Sequence, residues 1–428
     1  MCWGVRGRRG GVRNRLESTV IPSPSFYPLW QAYVWIFLYL CKSLYKTKSF
    51  MAIEIKKVAT KGDLKTFIRF NYEMYKDCAY HVPELYMDMV CTLDRTKNPA
   101  FEFCDADYFL AYRDGVLVGR IAAIINHRAN ETWNQKVVRF GWIDFIDDYE
   151  VSSTLLNTVR EWGLDRGMTD IEGPLGFTDL DPEGMLIEGF DQLSTMATIY
   201  NYDYYPKHVE RWGMEKAADW TERKIYIPEE VPEKHKRISE IVLKKYGLRI
   251  RKFKSKWEVM RSGMVHKIFR LINEAYTPLF GFTKLSERQI DTYVKMYVPV
   301  LDLRMVTIVE NEEGEVIAVG VSMPSLSEAL RKAKGKFFPF GWWHLLKALT
   351  WKKSKVLDLL LVAVRPDYQS KGVNAPLFTD LIPVYQQMGF EYAESNPQLE
   401  ENEKVVSQWQ YFPTEDHKRR RCFKKSIV

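Results

Sequence analysis

The sequence predicts an α/β protein that is built from two similar domains in tandem. The first observation is length, because 428 residues are more than one ordinary hydrophobic core organises. The second is an internal repeat, since the order strand, helix, hairpin, strand and helix occurs twice after residue 50. The third is composition, because 46% hydrophobic and 14% aromatic residues are typical of filled cores rather than disorder.

Local signals define the elements of the first copy. Asp114 and Gly115 form a strong hairpin turn, and Gly167 is a typical helix end. The predicted elements are a strand at 53–58, a helix at 64–75, hairpin strands at 108–112 and 116–125, a strand at 138–146 and a helix at 153–165.

The second copy repeats this order. Glu313 and Gly314 mark its hairpin, Gly389 ends its last helix, and Pro383 predicts a kink inside that helix. The predicted elements are a strand at 248–253, a helix at 260–275, hairpin strands at 305–309 and 316–323, a strand at 356–364, a helix at 373–388 and a strand at 390–395. We therefore predict domains at 51–228 and 229–428.

Charge argues against a nucleic-acid partner. The net charge is +7, but eight of the 62 basic residues and one of the 55 acidic residues lie in 1–50, which leaves 54 of each in the rest. A neutral body lacks the basic surface that phosphate binding requires. A local basic run begins at Lys418 and ends at Arg421. We predict that it forms a solvated edge strand.

The cysteines and the N-terminal segment indicate a cytoplasmic protein. Six cysteines show no paired spacing, which favours free thiols in a reducing compartment, and no metal-binding motif is present. Residues 1–50 are interpreted as an unpacked extension that arises from an upstream start codon, before a natural start at Met51. The alternative is a weak membrane anchor at 26–41, although this apolar stretch is short for a span.

The most informative stretch follows the apolar strand at 356–364. The strand stops at Pro366, a short loop contains Gln369, Lys371 and Gly372, and a helix follows. Such a junction directs several backbone N–H groups and the positive end of a helix at one point, where a phosphate binds. Glycine permits close approach of the backbone to a ligand.

This loop resembles the acyl-CoA pyrophosphate loop of the GNAT acyltransferase superfamily, Gln/Arg-x-x-Gly-x-Gly/Ala. Gln369 and Gly372 match it, and Asn374 occupies its last position. From Met51 onward the chain is similar to the tandem-domain YghO-like group of that superfamily. The segments that carry this likeness are 172–174, 184–191, 200–201, 204–205, 212–216 and 339–342. The resemblance implies two GNAT-like domains, each a mixed, bent sheet with splayed central strands and helices on both faces.

The resemblance also implies site residues. The pantetheine arm of the coenzyme is expected on the backbone of Val362, Ala363 and Val364. The pyrophosphate is expected on the loop residues Gln369, Ser370, Lys371, Gly372, Val373 and Asn374. Asn402 matches a family asparagine.

Two catalytic candidates follow from the same likeness. Glu394 is the candidate base, or alternatively an exposed strand carboxylate. Trp409 stands where the family usually has a tyrosine acid, so Tyr411 is the candidate acid, or alternatively a packed aromatic residue.

We therefore expect an N-acyltransferase that takes acetyl-CoA or a longer acyl-CoA as co-substrate and a small-molecule or peptide amine as acceptor, with no metal. The first domain has Glu150, Val151, Ser152 and Ser153 in place of the phosphate loop, so we predict a single coenzyme site, in the second domain. The alternative is a non-catalytic acyl-CoA-binding or membrane-associated interaction protein. A transferase that uses a charged tRNA ranks last, because the body is neutral.

Residues 336–355 combine an apolar helical stripe with aromatic residues and lysines. One interpretation is peripheral membrane contact or a lid over a long acyl chain. The favoured interpretation is a helix packed between the two domains.

Overall fold

The computed structural model describes residues 52–350, 354–402 and 407–428, so the predicted extension at 1–50 lies outside the described residues. None of the helices in these ranges has the length and apolar character of a membrane span.

The first half contains the elements of the predicted first copy. They are β1 (Glu54–Lys57), α1 (Lys61–Met74), α2 (Tyr86–Leu93), β2 (Cys104–Arg113), β3 (Val116–Asn126), α3 (His127–Thr132), β4 (Val137–Phe145), α4 (Tyr149–Leu164), β5 (Asp170–Gly173), β6 (Met185–Glu188), α5 (Tyr204–Arg211) and β7 (Glu215–Tyr226). The predicted turn at Asp114 and Gly115 is confirmed, with φ values of 51° and 75°.

The second half repeats the order. Its elements are α6 (Glu233–Lys245), β8 (Arg249–Arg251), α7 (Lys256–Arg261), α8 (Met264–Tyr276), α9 (Glu287–Tyr297), β9 (Val306–Glu310), β10 (Val316–Pro324), α10 (Ser327–Ala333), α11 (Gly341–Thr350), β11 (Val356–Val364), α12 (Asn374–Gln387), β12 (Tyr392–Ser395), β13 (Gln398–Leu399) and β14 (Thr414–Ser426). The single helix predicted at 260–275 is wrong, because Gly263 adopts a φ of 66° and separates α7 from α8.

The strands of both copies join in one mixed sheet. Its order is β1-β2-β3-β4-β5-β14-β7-β12-β11-β10-β9-β8, with β6 beside β14 and β13 beside β7. In each copy one neighbouring pair is parallel, β4 with β5 and β11 with β12. The two central strands are exchanged between the halves, since β7 pairs with β12 and the last strand, β14, pairs with β5.

The basic run in β14 corrects one prediction. It lies in the middle of the sheet and not at a solvated edge, because β14 pairs with β5 on one side and β7 on the other. Lys418 and Arg420 are buried, and both pair with the carboxylate of Glu222. Although burial by itself raises the pKa of the Glu222 carboxyl, the charges of Arg420 and Lys418 lower it to about 2.

Residues 336–350, the described part of the aromatic segment 336–355, follow α10 and contain α11, and both helices lie between β10 and β11. Leu345 is buried and packs in a cluster with Val82 of the first half and Met323 of the second, as the packed-helix interpretation expects. The outer side of the segment remains exposed, and its large exposed side chains are Phe337, Phe338, Phe340, Trp342, Trp343 and Leu346. We call these six residues the aromatic surface.

Candidate active site

The parallel strands β11 and β12 separate after four paired residues. The last pair is Leu359 with Ser395, whereas β11 continues along β10 to Val364. A β-bulge at Leu360 coincides with the separation, because the register moves from Val321 opposite Leu361 to Ser322 opposite Leu359. The expected splay between central strands is therefore present in the second half.

The backbone of β11 beyond this point has one side paired with β10 and one side open. The Arg365 N–H donates to the Ile317 carbonyl at 2.9 Å, which fixes the alternation of the antiparallel ladder. By that alternation Ala363 directs its N–H and carbonyl at β10, while Val362 and Val364 direct theirs away. Of the three residues expected to meet a pantetheine arm, two thus present their polar groups to the open side.

Side chains already contact the carbonyls on this open side. Tyr276 Oη donates to the Val362 carbonyl at 3.0 Å, and Asn396 Nδ2 donates to the Leu360 carbonyl at 2.7 Å. Gln369 Nε2 donates to the Val364 carbonyl at 3.2 Å, so the predicted loop glutamine folds back onto the strand. Its side chain braces the loop against β11.

The predicted phosphate loop leads directly into α12. Ser370 and Gly372 adopt φ values of 61° and 78°, which turn the chain into the helix. Among the described residues, the N–H groups of Ser370, Gly372, Val373 and Asn374 have no backbone acceptor. Free amides at the start of a fourteen-residue helix are a suitable arrangement for an anion.

Gly372 is required by packing as well as by conformation. A Cβ at this position would lie 2.9 Å from Cγ2 of Ile238 in α6. The structure thus supplies a reason for the glycine that the sequence did not reveal. Lys371 Nζ lies 5.1 Å from the centroid of the Tyr368 ring and 5.5 Å from that of Tyr246. Within the described ranges it has no carboxylate at ion-pair distance, which leaves its charge available to an anion.

An apolar cleft opens beside this loop. It encloses about 610 Å³, part of it open to solvent, between α12, the separating strands and the segment after β13. Asn374 lines it at the end that carries the free amides. The other lining residues that matter below are Leu359, Val362, Leu377, Phe378, Leu381, Tyr385 and Trp409. The cleft suits a hydrocarbon chain better than a polar group.

The two aromatic residues considered for the acid lie in different places. Trp409 is buried in the cleft, and its Nε1 donates to Gln398 Oε1 at 3.0 Å. Tyr411 is 42% exposed outside the lining, with its hydroxyl 2.5 Å from Lys234 Nζ. A phenol that the sequence reasoning missed does line the cleft, because Tyr385 Oη lies 2.7 Å from Ser322 Oγ.

Glu394 is buried in a charged network, not exposed on its strand. Its Oε2 lies 2.8 Å from His417 Nε2 and 3.5 Å from Lys418 Nζ. Asp358 stands beside it on β11 in the β-ladder and is 1% exposed. Burial raises the pKa of the Asp358 carboxyl to about 7, and the neighbouring Glu394 charge adds to this. A lone aspartate inside an otherwise apolar strand was the sequence signal for this group.

Asn402 lies at the end of the described segment that follows β13, and its N–H donates to the Leu399 carbonyl at 3.0 Å. It is not among the residues that line the cleft. Its assignment to coenzyme binding stays a prediction.

The corresponding loop of the first half is closed by its own charges. Asp148 caps α4 and pairs with Arg113 at 2.5 Å, and Arg113 also pairs with Glu150 at 2.8 Å. A carboxylate thus already occupies the helix start where the second half has free amides. This is the arrangement expected if only the second half holds a coenzyme.

Comparison with known proteins gives two curated relatives. The chain is 26% identical over 386 residues to Protein YghO of Escherichia coli K12, with 87% of this chain and 95% of that protein covered. It is 28% identical over 325 residues to the bacterial ceramide synthase of Caulobacter vibrioides, with 74% and 82% covered. No family model matches the sequence.

Solved structures with partial likeness include a tandem GNAT protein from the clavulanic acid biosynthesis pathway, at 12% identity and a TM-score of 0.49 over 88% of this chain and 99% of that one. Another is a probable N-acyltransferase from Enterococcus faecalis, at 8% identity and a TM-score of 0.47 over 88% and 73%. Because these structural likenesses are only partial, we assign the fold from the sheet itself. The sheet has a repeated strand order and a splay between β11 and β12. This sheet is the fold that the resemblance to tandem GNAT proteins implied, and in sequence the chain is similar to Protein YghO and to the bacterial ceramide synthase.

Proposed function

We propose that the second half binds an acyl-CoA and transfers its acyl group to a primary amine. The observation that carries this proposal is one continuous arrangement. The free amides of residue 370 and residues 372–374, the open edge of β11 and the apolar cleft adjoin one another. This order suits an anionic pyrophosphate, an amide-containing arm and a hydrocarbon chain in succession.

We further propose long-chain substrates. The cleft is lined almost wholly by apolar side chains, among them Leu377, Phe378 and Leu381. One relative is named a bacterial ceramide synthase, and a ceramide is an N-acylated long-chain amino alcohol. The acceptor proposed for this chain is accordingly the amine of a long-chain amino alcohol.

In the proposed reaction the neutral amine attacks the thioester carbonyl, a C–N bond forms, and the C–S bond breaks. A base must first take the ammonium proton, and the leaving thiolate must gain one. Glu394 is the proposed base, with His417 and Lys418 holding its carboxylate in place. Tyr385 and Tyr411 are the two hydroxyl candidates for the acid, and Tyr385 is preferred because it lines the cleft.

Thiol release from acetyl-CoA and palmitoyl-CoA, measured with and without a long-chain amino alcohol, tests the activity. We expect amine-dependent release with a higher kcat/KM for the long chain. Tyr385→Phe and Tyr411→Phe remove only a hydroxyl each, and we expect about a tenfold or larger fall in kcat with Tyr385→Phe alone. A larger fall in kcat with Tyr411→Phe than with Tyr385→Phe would indicate that Tyr411, the candidate from the sequence, is the acid. Tight acyl-CoA binding without thiol release would favour the non-catalytic binding protein.

The aromatic surface supports a second proposal, contact with an anionic lipid surface. Phe338 and Phe340 are 68% and 73% exposed, and exposed Lys334 and Lys336 precede them directly. Aromatic side chains beside lysines match the interface of an anionic bilayer, where apolar groups enter and ammonium groups meet phosphates. Long-chain amines reside in such a bilayer.

Co-sedimentation with vesicles of anionic or of zwitterionic lipid tests this contact. We expect binding to the anionic vesicles and a loss of it on Phe338→Ser with Phe340→Ser. Trp257→Ser is the matched control, because Trp257 is 67% exposed on α7, outside the aromatic surface. Equal binding by both variants would contradict the proposal. Vesicle binding by a variant without residues 1–50 tests the alternative that this segment makes the contact, because binding would then be lost on its removal.

A further inference from the structure

The first half contains a second cleft, whose lining includes several polar and charged side chains. Its parallel pair, β4 with β5, also separates early, after Arg139 opposite Glu172. β4 then continues to Phe145 with a bulge, where Trp142 adopts a φ of 41°. The cavity at this separation encloses about 670 Å³, part of it open to solvent, and is lined by the last part of β4, by the residues that follow β5 and by polar side chains.

An ion pair forms the wall of this cavity. Arg120 Nε donates to Asp144 Oδ2 at 2.7 Å, and its guanidinium also donates to the Phe67 carbonyl at 2.9 Å. Asn71 Nδ2 and Tyr205 Oη donate to the same carboxylate at 3.1 Å and 3.2 Å. The charges and hydrogen-bonding capacity of Arg120 and Asp144 are thus largely satisfied within the protein.

Two other lining groups are not satisfied. His81 is 8% exposed and stacks on Tyr75 with ring centroids 4.6 Å apart, yet neither ring nitrogen has a hydrogen-bond partner in the described chain. The carboxyl of Glu84, a half-buried residue, likewise accepts no hydrogen bond from any described group. Burial lowers the pKa of His81 to about 4, so its imidazole is neutral and offers an acceptor nitrogen.

The His81 imidazole and the Glu84 carboxyl can both accept a hydrogen bond, and a positively charged donor suits the carboxyl best. Burial raises the pKa of Glu84 to about 7 although Arg120 opposes this, and a cation beside the carboxyl would restore its charge. A pyrophosphate has only acceptors to offer, and Asp148 already caps the nearby helix start. We propose that the first-half cleft binds a small protonated amine, with Glu84 and His81 as its hydrogen-bond acceptors.

This site does not depend on acyl transfer, and its test uses binding alone. Calorimetry on the full chain compares 2-amino-1,3-propanediol with glycerol, which has a hydroxyl in place of the ammonium group. We expect the amine to bind and glycerol to give no heat of binding. Equal binding of the two probes, or no binding of the amine, would overturn the proposal.

Glu84→Gln keeps the shape of the side chain and removes its charge, so we expect amine affinity to fall by about tenfold or more. His81→Gln keeps an acceptor and should reduce affinity less. Lys371→Ala, in the phosphate loop of the second half, is the control, with amine binding unchanged and coenzyme A binding weakened. If Glu84→Gln melts like the wild type and binds the amine equally well, Glu84 is not the acceptor and the proposal fails. If Glu84→Gln does not fold, His81→Phe serves instead, because it removes the acceptor nitrogen of His81. Unchanged amine affinity in folded His81→Phe would then overturn the proposal.

Discussion

Gly372 provides a prediction that separates backbone strain from packing, because the same helix supplies its control. Gly372 precedes α12 and Gly389 follows it, with φ values of 78° and 74°. A Cβ at Gly389 meets nothing within 4 Å, whereas one at Gly372 lies 2.9 Å from Ile238 Cγ2. Both alanine variants therefore pay for a strained left-handed backbone, but only Gly372→Ala also creates a steric overlap with Ile238.

Left-handed backbone costs a residue with a Cβ about 1–2 kcal/mol, so we expect Gly389→Ala to lower the free energy of unfolding by that amount. Gly372→Ala adds an overlap that forces the Ile238 side chain or α6 to shift, and overpacking of this kind costs about 1–3 kcal/mol more. Urea unfolding followed by tryptophan fluorescence measures both. Ile238→Ala removes the methyl group in contact, so the double variant should cost less than the sum of the singles.

Coenzyme A affinity, measured by calorimetry, links this stability effect to function. We expect Gly372→Ala to weaken binding by about tenfold or more, since it displaces the amides of the loop, and Gly389→Ala to leave binding unchanged. Equal costs for the two variants in urea would refute the packing argument. Unchanged coenzyme affinity in folded Gly372→Ala would refute the assignment of the loop.

Three further predictions concern the buried groups of the second half and the centre of the sheet. Arg420→Met leaves the buried carboxylate of Glu222 with one partner fewer, so it should lower the free energy of unfolding in urea by about 3–5 kcal/mol. A loss below about 1 kcal/mol would contradict the stabilising role of this ion pair. Because the folded-state pKa of Asp358 is raised to about 7, its contribution to stability is present at low pH and is lost as pH rises through 7. Asp358→Asn does not titrate, so its stability relative to the wild type should rise between about pH 4 and 7, and a constant difference would be inconsistent with a buried titrating carboxyl. Trp409→Ala should cost about 3–5 kcal/mol and shift acyl-CoA preference toward longer chains by enlarging the cleft, and a stability loss without that shift would place Trp409 outside the acyl site.

The sequence by itself determined the local features of this protein. The hairpin turns at Gly115 and Gly314, the helix ends at Gly167 and Gly389 and the turn at Gly372 all have positive φ in the structure. Such features depend on a few neighbouring residues, and so the two copies of the pattern were readable along the chain.

The tertiary structure decided what depends on distant partners. From the sequence, Lys418 and Arg420 are predicted to lie on a solvated edge strand. In the structure both pair with Glu222, which lies 198 residues before Arg420, in the middle of the sheet. Backbone hydrogen bonds between strands do not depend on side-chain identity, so the exchange of β7 and β14 left no local signal. For the same reason only the fold shows that one strand separation opens into an apolar cleft and the other into a cavity with polar lining groups, among them Glu84 and His81.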